Sequence, residues 1–175
     1  MKKNFWIVLL PLLAIGIGQS VWENRLLKQM GTPAGRQEAV AEQYMDARII
    51  SEIEVEDYIF CEIETEEQHG IVAFKPMGAR KYVCDGGTLM PKDWFVLESK
   101  TIGEDQHEVY VNDEKELQYV DVVLRDIYTD EILQTGTVSF AEKNIAAMKL
   151  DQGITMYRTS MTGYDAEGNS YIIYD

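Results

Sequence analysis

Glu52-Ile53-Glu54-Val55-Glu56-Asp57-Tyr58-Ile59-Phe60-Cys61-Glu62-Ile63-Glu64 is the stretch on which the fold turns. Ile53 and Val55 alternate with Glu52, Glu54 and Glu56, a period of two that puts apolar side chains on one face of a strand and acids on the other. Beyond Asp57 the β-branched and aromatic composition continues to Glu64, so the stretch is two strands or one long bent strand. Glu66-Glu67-Gln68-His69-Gly70 then reads as a hairpin loop and Ile71–Lys75 as the next strand. Pro76-Met77-Gly78 turns the chain, and Lys81–Cys84 is a short strand ending at Asp85-Gly86-Gly87, where paired glycines permit a bend that other residues resist.

Working outward, the same style fills the C-terminal half. Trp94–Glu98, Glu108–Val111, Tyr119–Leu124, Thr135–Phe140, Ile154–Arg158 and Tyr171–Tyr174 are short, β-branched or aromatic and bounded by turn residues. Spacing of this kind predicts an antiparallel meander, sandwich or barrel. Asp165-Ala166-Glu167-Gly168-Asn169 is the last hairpin turn, and Asn144–Leu150, with adjacent alanines, is the one candidate for a second short helix. Upstream, Thr32 before Pro33 fits an N-cap with proline at the first helical position. Arg36–Arg48 carries Val40, Tyr44 and Ala47 at i, i+4 and i+7, one apolar stripe that packs on the domain's own sheet. The fold class expected is α+β and mostly β: an N-terminal signal or membrane helix, one amphipathic helix, then an antiparallel β-meander or sandwich. The divisions expected are 1–22 for the signal or anchor, 23–33 for a juxtamembrane linker and 34–175 for a single β-rich domain.

The first residues read as an address. Met1-Lys2-Lys3-Asn4 precedes an almost wholly apolar stretch from Phe5 to Ile17, followed by Gly18-Gln19-Ser20-Val21-Trp22. A basic head on such a stretch marks a secretory signal or an uncleaved signal-anchor. Small residues at Gly18 and Ser20 suit cleavage after Ser20, which gives a secreted form. Trp6 and Trp22 bracket the stretch like interfacial anchors, and the expectation is the uncleaved anchor: a single pass through residues 5–22 with the C-terminal domain outside the cytoplasm.

The chain's 175 residues carry 16 Lys+Arg against 30 Asp+Glu, a formal charge of -14. Two of the basic residues and no acid lie in 1–22, so the remainder carries -16. That balance excludes an electrostatic grip on nucleic-acid phosphates or anionic lipid heads. Eight acids and no base lie between Glu52 and Glu67, and Glu104, Asp105, Glu108, Asp113, Glu114 and Glu116 form a second group. On alternating strands such residues are the wet face of a half-buried sheet.

Few residues carry candidate chemistry. Cys61 and Cys84 lie on strands separated by the 71–75 strand, about 10 Å apart at the usual interstrand spacing, so two free thiols are expected unless their strands are neighbours. His69, after Glu66 and Glu67, and His107, before Glu108, read as solvated loop residues; a mixed histidine–carboxylate zinc site requires folding to bring their loops together. Asp165, Glu167 and Asn169 are spaced like the start of a calcium loop, but the full pattern is not met and a hairpin turn explains them. No serine-nucleophile elbow, phosphate-binding loop, His-Glu-x-x-His helix or dinucleotide fingerprint occurs. No catalytic, cofactor-binding or metal-binding residue is assigned, and no cofactor is expected.

Tyr58–Thr65, His69–Lys75 and Gly163–Asn169, with the basic-headed apolar N-terminus, resemble short uncharacterised proteins of Gram-positive bacteria that join a signal or anchor helix to a small β-rich extracytoplasmic domain. The resemblance implies a location and no activity. The expectation is a non-enzymatic extracytoplasmic binding or accessory domain whose partner is a protein or envelope component. The alternative is a small cell-envelope hydrolase using paired carboxylates or a metal. A continuous exposed apolar patch favours the first, a cleft with two carboxylates the second.

Overall fold

The computed structural model describes residues 30–78, 81–91, 97–102, 107–112 and 116–174. The N-terminal segment 1–22, most of the 23–33 linker, residues 94–96 of the first C-terminal strand and the acids Glu104, Asp105, Asp113 and Glu114 lie outside them. No helix among the described residues is long and apolar enough to cross a membrane.

Among the described residues the fold is mostly β, antiparallel throughout, with one helix, α1 (Pro33–Gln43). Thr32 caps it as expected, its Oγ1 accepting from Gly35 N at 3.1 Å, with proline in the first turn. The helix ends at Tyr44, short of the expected Arg48, yet its stripe is right: Val40 and Ala47 are buried and Tyr44 packs beside them.

Strands β1 (Arg48–Val55), β2 (Tyr58–Glu64), β3 (Gln68–Pro76) and β4 (Tyr82–Pro91) form a four-stranded meander. The opening stretch is therefore two strands, joined by a two-residue turn in which Glu56 (φ 49°) and Asp57 (φ 71°) are both left-handed, the backbone that suits the twist of a tight hairpin. A second sheet orders β5 (Leu97–Ile102), β6 (His107–Asn112) and β9 (Ile145–Lys149). A third orders β11 (Ser170–Tyr174), β10 (Tyr157–Tyr164), β7 (Tyr119–Asp126) and β8 (Ile132–Ser139).

Parity along the strands stacks these elements into four layers. Ile59, Cys61, Ile63, Val72 and Phe74 pack under α1, while Tyr58, Phe60, Ile71 and Ala73 face the other way onto Val109, Val111 and Ile145 of the three-stranded sheet. Tyr110 and Ala146 leave that sheet's opposite face to pack on Val120, Val122, Leu124, Val138 and Met161 of the third. The three-stranded sheet is thus the filling, and β6 is buried on both faces from His107 to Asn112. Each fully buried apolar side chain there stabilises by about 1.5–3 kcal/mol.

Three expectations need correction. The segment expected as a helix at 144–150 holds strand β9 instead, because Ile145–Lys149 pairs with Val111–His107 and its two alanines let sheets approach on both sides. The strand expected at Ile154–Arg158 runs instead from Tyr157 to Tyr164, against the whole of β7. The acids of 52–67 are not uniformly a wet face. A bulge at Ile50 turns Glu52 toward α1, where it meets the buried Arg36, and Glu62 is 2% exposed on the face toward the middle sheet.

Candidate binding surface

β7 and β8 are joined by a turn whose polar chemistry is fully occupied in holding its own shape. Asp126 Oδ1 accepts from the backbone N–H of Tyr128 and of Thr129, each at 2.8 Å. Asp126 N donates to Glu131 O at 2.9 Å and Asp130 N to Asp126 O at 3.0 Å, with Asp130 left-handed at φ 65°. Arg125 Nη1 donates to Asp130 O, and Arg158 on the neighbouring strand pairs with the Asp130 carboxylate at 2.5 Å. The backbone N–H bonds hold the Asp126 carboxyl below its ordinary range, and the Arg158 bond does the same for Asp130.

On this framework stand apolar side chains that the core does not use. Ile127 is 44% exposed and Tyr128 76%, with Ile132, Leu133 and Met156 beside them in chain or pairing and also exposed. Tyr128 OH reaches Met156 Sδ at 3.9 Å, closing the tip over the start of β10. Single exposed apolar residues are ordinary, but five at one end of one sheet are a patch, the usual mark of an interaction site. The sequence reading missed them because it scored strands. The available signal was two large apolar residues inside a turn that Asp126 and Asp130 already specify.

The residues singled out from the sequence lie elsewhere. Cys61 and Cys84 are free thiols on β2 and β4, with β3 between them as expected. Burial, reinforced by the Glu52 carboxylate, pushes the Cys61 thiol up to about 12, and burial also raises that of Cys84. His69 and His107 are not loop residues: both are buried, in β3 and β6. The hairpin before His69 is tighter than expected, closed by Thr65 N to Gln68 O at 2.8 Å. His107 packs against the rings of Tyr58 and Phe60, with Nε2 3.9 Å from Glu56 Oε2. His69 pairs in register with Glu64, four residue pairs beyond Phe60 toward the opposite end of β2 from Tyr58, so the histidines do not meet. Among the described residues no group of three histidine, cysteine or carboxylate side chains is placed to hold a metal. Asp165 accepts from Asn169 N and Nδ2, both at 2.8 Å, and closes the last hairpin.

Glu108 is buried among hydroxyls between the second and third sheets. Tyr110 OH donates to it at 2.7 Å, and Tyr157 OH and Thr159 Oγ1 approach at 3.4 Å. Burial raises its pKa and these bonds oppose the rise. Two clefts flank β1 at the first sheet's edge and neither is lined by Glu108; the one of about 400 Å³ is lined in part by the exposed residues Glu54 and Glu142. No family model, curated protein or solved structure matches the chain.

Proposed function

We propose that this chain is a non-enzymatic binding or accessory domain, held at the outer face of a cell membrane by residues 5–22, that docks a protein or envelope component on the 126–133 hairpin tip. The observation that carries the reading is Tyr128 and Ile127 standing in water on a turn already held rigid by Asp126 and Asp130. Rigid presentation matters because ordering side chains and loops on binding is a main cost of association, and this tip is ordered beforehand. The resemblance to signal- or anchor-bearing β-domain proteins of Gram-positive bacteria supports the location only.

Two measurements test it. Capture from the native envelope with the wild-type chain and with Ile127→Ser/Tyr128→Ser should yield a partner that the double variant loses at unchanged melting temperature; an identical capture from both defeats the tip as the site. Fractionation with intact mass should find the chain unprocessed in the membrane, and a soluble form beginning at Val21 defeats the anchor.

The hydrolase reading keeps one observation, the cleft shared by Glu54 and Glu142. Both carboxylates stand in the same open solvent, whereas acid–base pairs work by occupying unlike environments. Envelope polymer hydrolysis that Glu54→Gln/Glu142→Gln abolishes would establish it.

A further inference from the structure

β1 is an outer strand of the first sheet. The two-residue turn makes Val55–Tyr58 the hydrogen-bonded pair, so the bonded positions recur at Ile53–Phe60 and the backbone groups of Glu52 and Glu54 point away from β2. Lys143 confirms the direction: its Nζ reaches around to Glu52 O at 2.5 Å, occupying an outward carbonyl. Among the described residues no strand pairs with this edge.

Two clefts lie along it, and they open on opposite faces of the sheet. One, of about 540 Å³, runs between β1 and α1 and is lined by Pro33, Ala34, Gln37 and Ile49. The other, of about 400 Å³, lies on the middle-sheet side against Ile53, Ala141 and Ile145. Lys143 lines both. An added strand sends successive side chains to opposite faces, so clefts above and below one edge match its period of two, and Ile53, Ala141 and Ile145 make the middle-sheet cleft the place for its apolar side chains. Glu52 is neutralised by Arg36, which leaves the exposed Glu54, opposite Ile59 in register, as the negative charge on the α1-facing side of β1.

We propose that the β1 edge binds an extended basic peptide by strand addition, with its aliphatic side chains on the middle-sheet face against Ile53, Ala141 and Ile145 and its lysines or arginines on the α1 face beside Glu54. The surface is separate from the 126–133 tip, so the two readings stand or fall independently.

The test uses the full chain and three fluorescent peptides, alternating Lys-Val, alternating Glu-Val, and Lys-Val with each valine N-methylated, followed by anisotropy. The Lys-Val peptide should bind at least tenfold more tightly than the others, since N-methylation keeps its charge and side chains but removes edge hydrogen bonds. Glu54→Pro, which deletes an outward N–H without touching the β2 ladder, should weaken Lys-Val binding at least tenfold. Glu54→Gln should weaken it several-fold, and Ile127→Ser/Tyr128→Ser should leave it unchanged. Equal binding of the N-methylated peptide means general attraction to an acidic protein and overturns the proposal, a result that does not depend on whether Glu54→Pro folds. A dimer in sedimentation that Glu54→Pro abolishes assigns the edge to a second copy and overturns it as well.

Discussion

Arg36 is the residue whose environment is least like its composition suggests. It is 4% exposed, forks onto Glu52 at 2.7 and 2.8 Å, and donates to Met30 O at 3.2 Å. Removing one partner of such a pair leaves the other without its counter-charge in a desolvated site, although Glu52 is one-third exposed and partly rescued by water. Arg36→Met should therefore cost about 2–3 kcal/mol in urea unfolding, below the full penalty for a deeply buried pair, and Arg36→Met/Glu52→Leu should recover most of it. Loss unchanged in the double variant would mean that Arg36 acts through packing alone.

Glu108 gives a pH dependence whose sign follows from its burial. An unfolded glutamate titrates near 4.5 and the folded one above that, so in the window above 4.5 the folded state holds more proton than the unfolded. Its share of stability is complete below 4.5 and is lost as pH rises through the folded value. Glu108→Gln keeps an acceptor for Tyr110 OH and removes the titration, so its stability should fall less than that of the wild type between pH 4.5 and 8. Parallel curves would show that Glu108 is solvated. The two thiols differ for the same reason: Cys84, half-buried, should be alkylated in the native protein well before the fully buried Cys61, whose thiol titrates near 12.

At the scale of elements, turns and close approaches set the register. Asp57 holds a left-handed backbone that costs an ordinary residue about 1–2 kcal/mol, so Asp57→Gly should raise stability by about 0.5–1 kcal/mol, visible as a higher urea midpoint with unchanged slope. Gly70 is the opposite case. A Cβ there would lie 1.8 Å from Thr88 O, backbone that cannot swing aside, and Gly70→Ala should push β3 from β4 at a cost of about 1–3 kcal/mol or more. The 126–131 turn depends on an ionised Asp126, whose folded pKa lies below 3.8. Its hold is complete above 3.8 and is lost as pH falls through the folded value, so partner capture through the tip should fail in that acid range while persisting at neutral pH.

Element type was legible wherever a short-range pattern matched its surroundings. The N-cap Thr32-Pro33, the alternation through Val55, the glycine-bearing turn at 165–169 and the runs around 108–111 and 119–124 all became the elements expected. β9 was not legible, because Ile145-Ala146-Ala147-Met148-Lys149 has good helix formers and becomes a strand only through the five partners β6 offers. Local propensity is a weak prior, and here pairing overrides it.

At the scale of the whole molecule, the described residues stack four layers deep, and depth is what changed the meaning of individual residues. In the antiparallel meander or sandwich the sequence predicts, each strand has one wet face, and Glu62, His69, His107 and Glu108 fall naturally into loops or onto that face. With a third sheet in the middle, β2, β3 and β6 have no wet face at all, and all four residues are buried. The candidate site was illegible for a related reason. Whether Ile127, Tyr128 and Met156 are core or surface depends on what lies over the end of the third sheet, a distance of 28 residues along the chain from Tyr128 to Met156. By itself the sequence determined the antiparallel β class, the capped helix that opens at Thr32-Pro33, the separation of the two cysteines and the net acidity, because each follows from periodicity, turn chemistry or counting. Only the tertiary structure decided which faces are dry, which acids are paired and which apolar residues are left over for a partner, because burial is a property of contacts between segments distant in the chain.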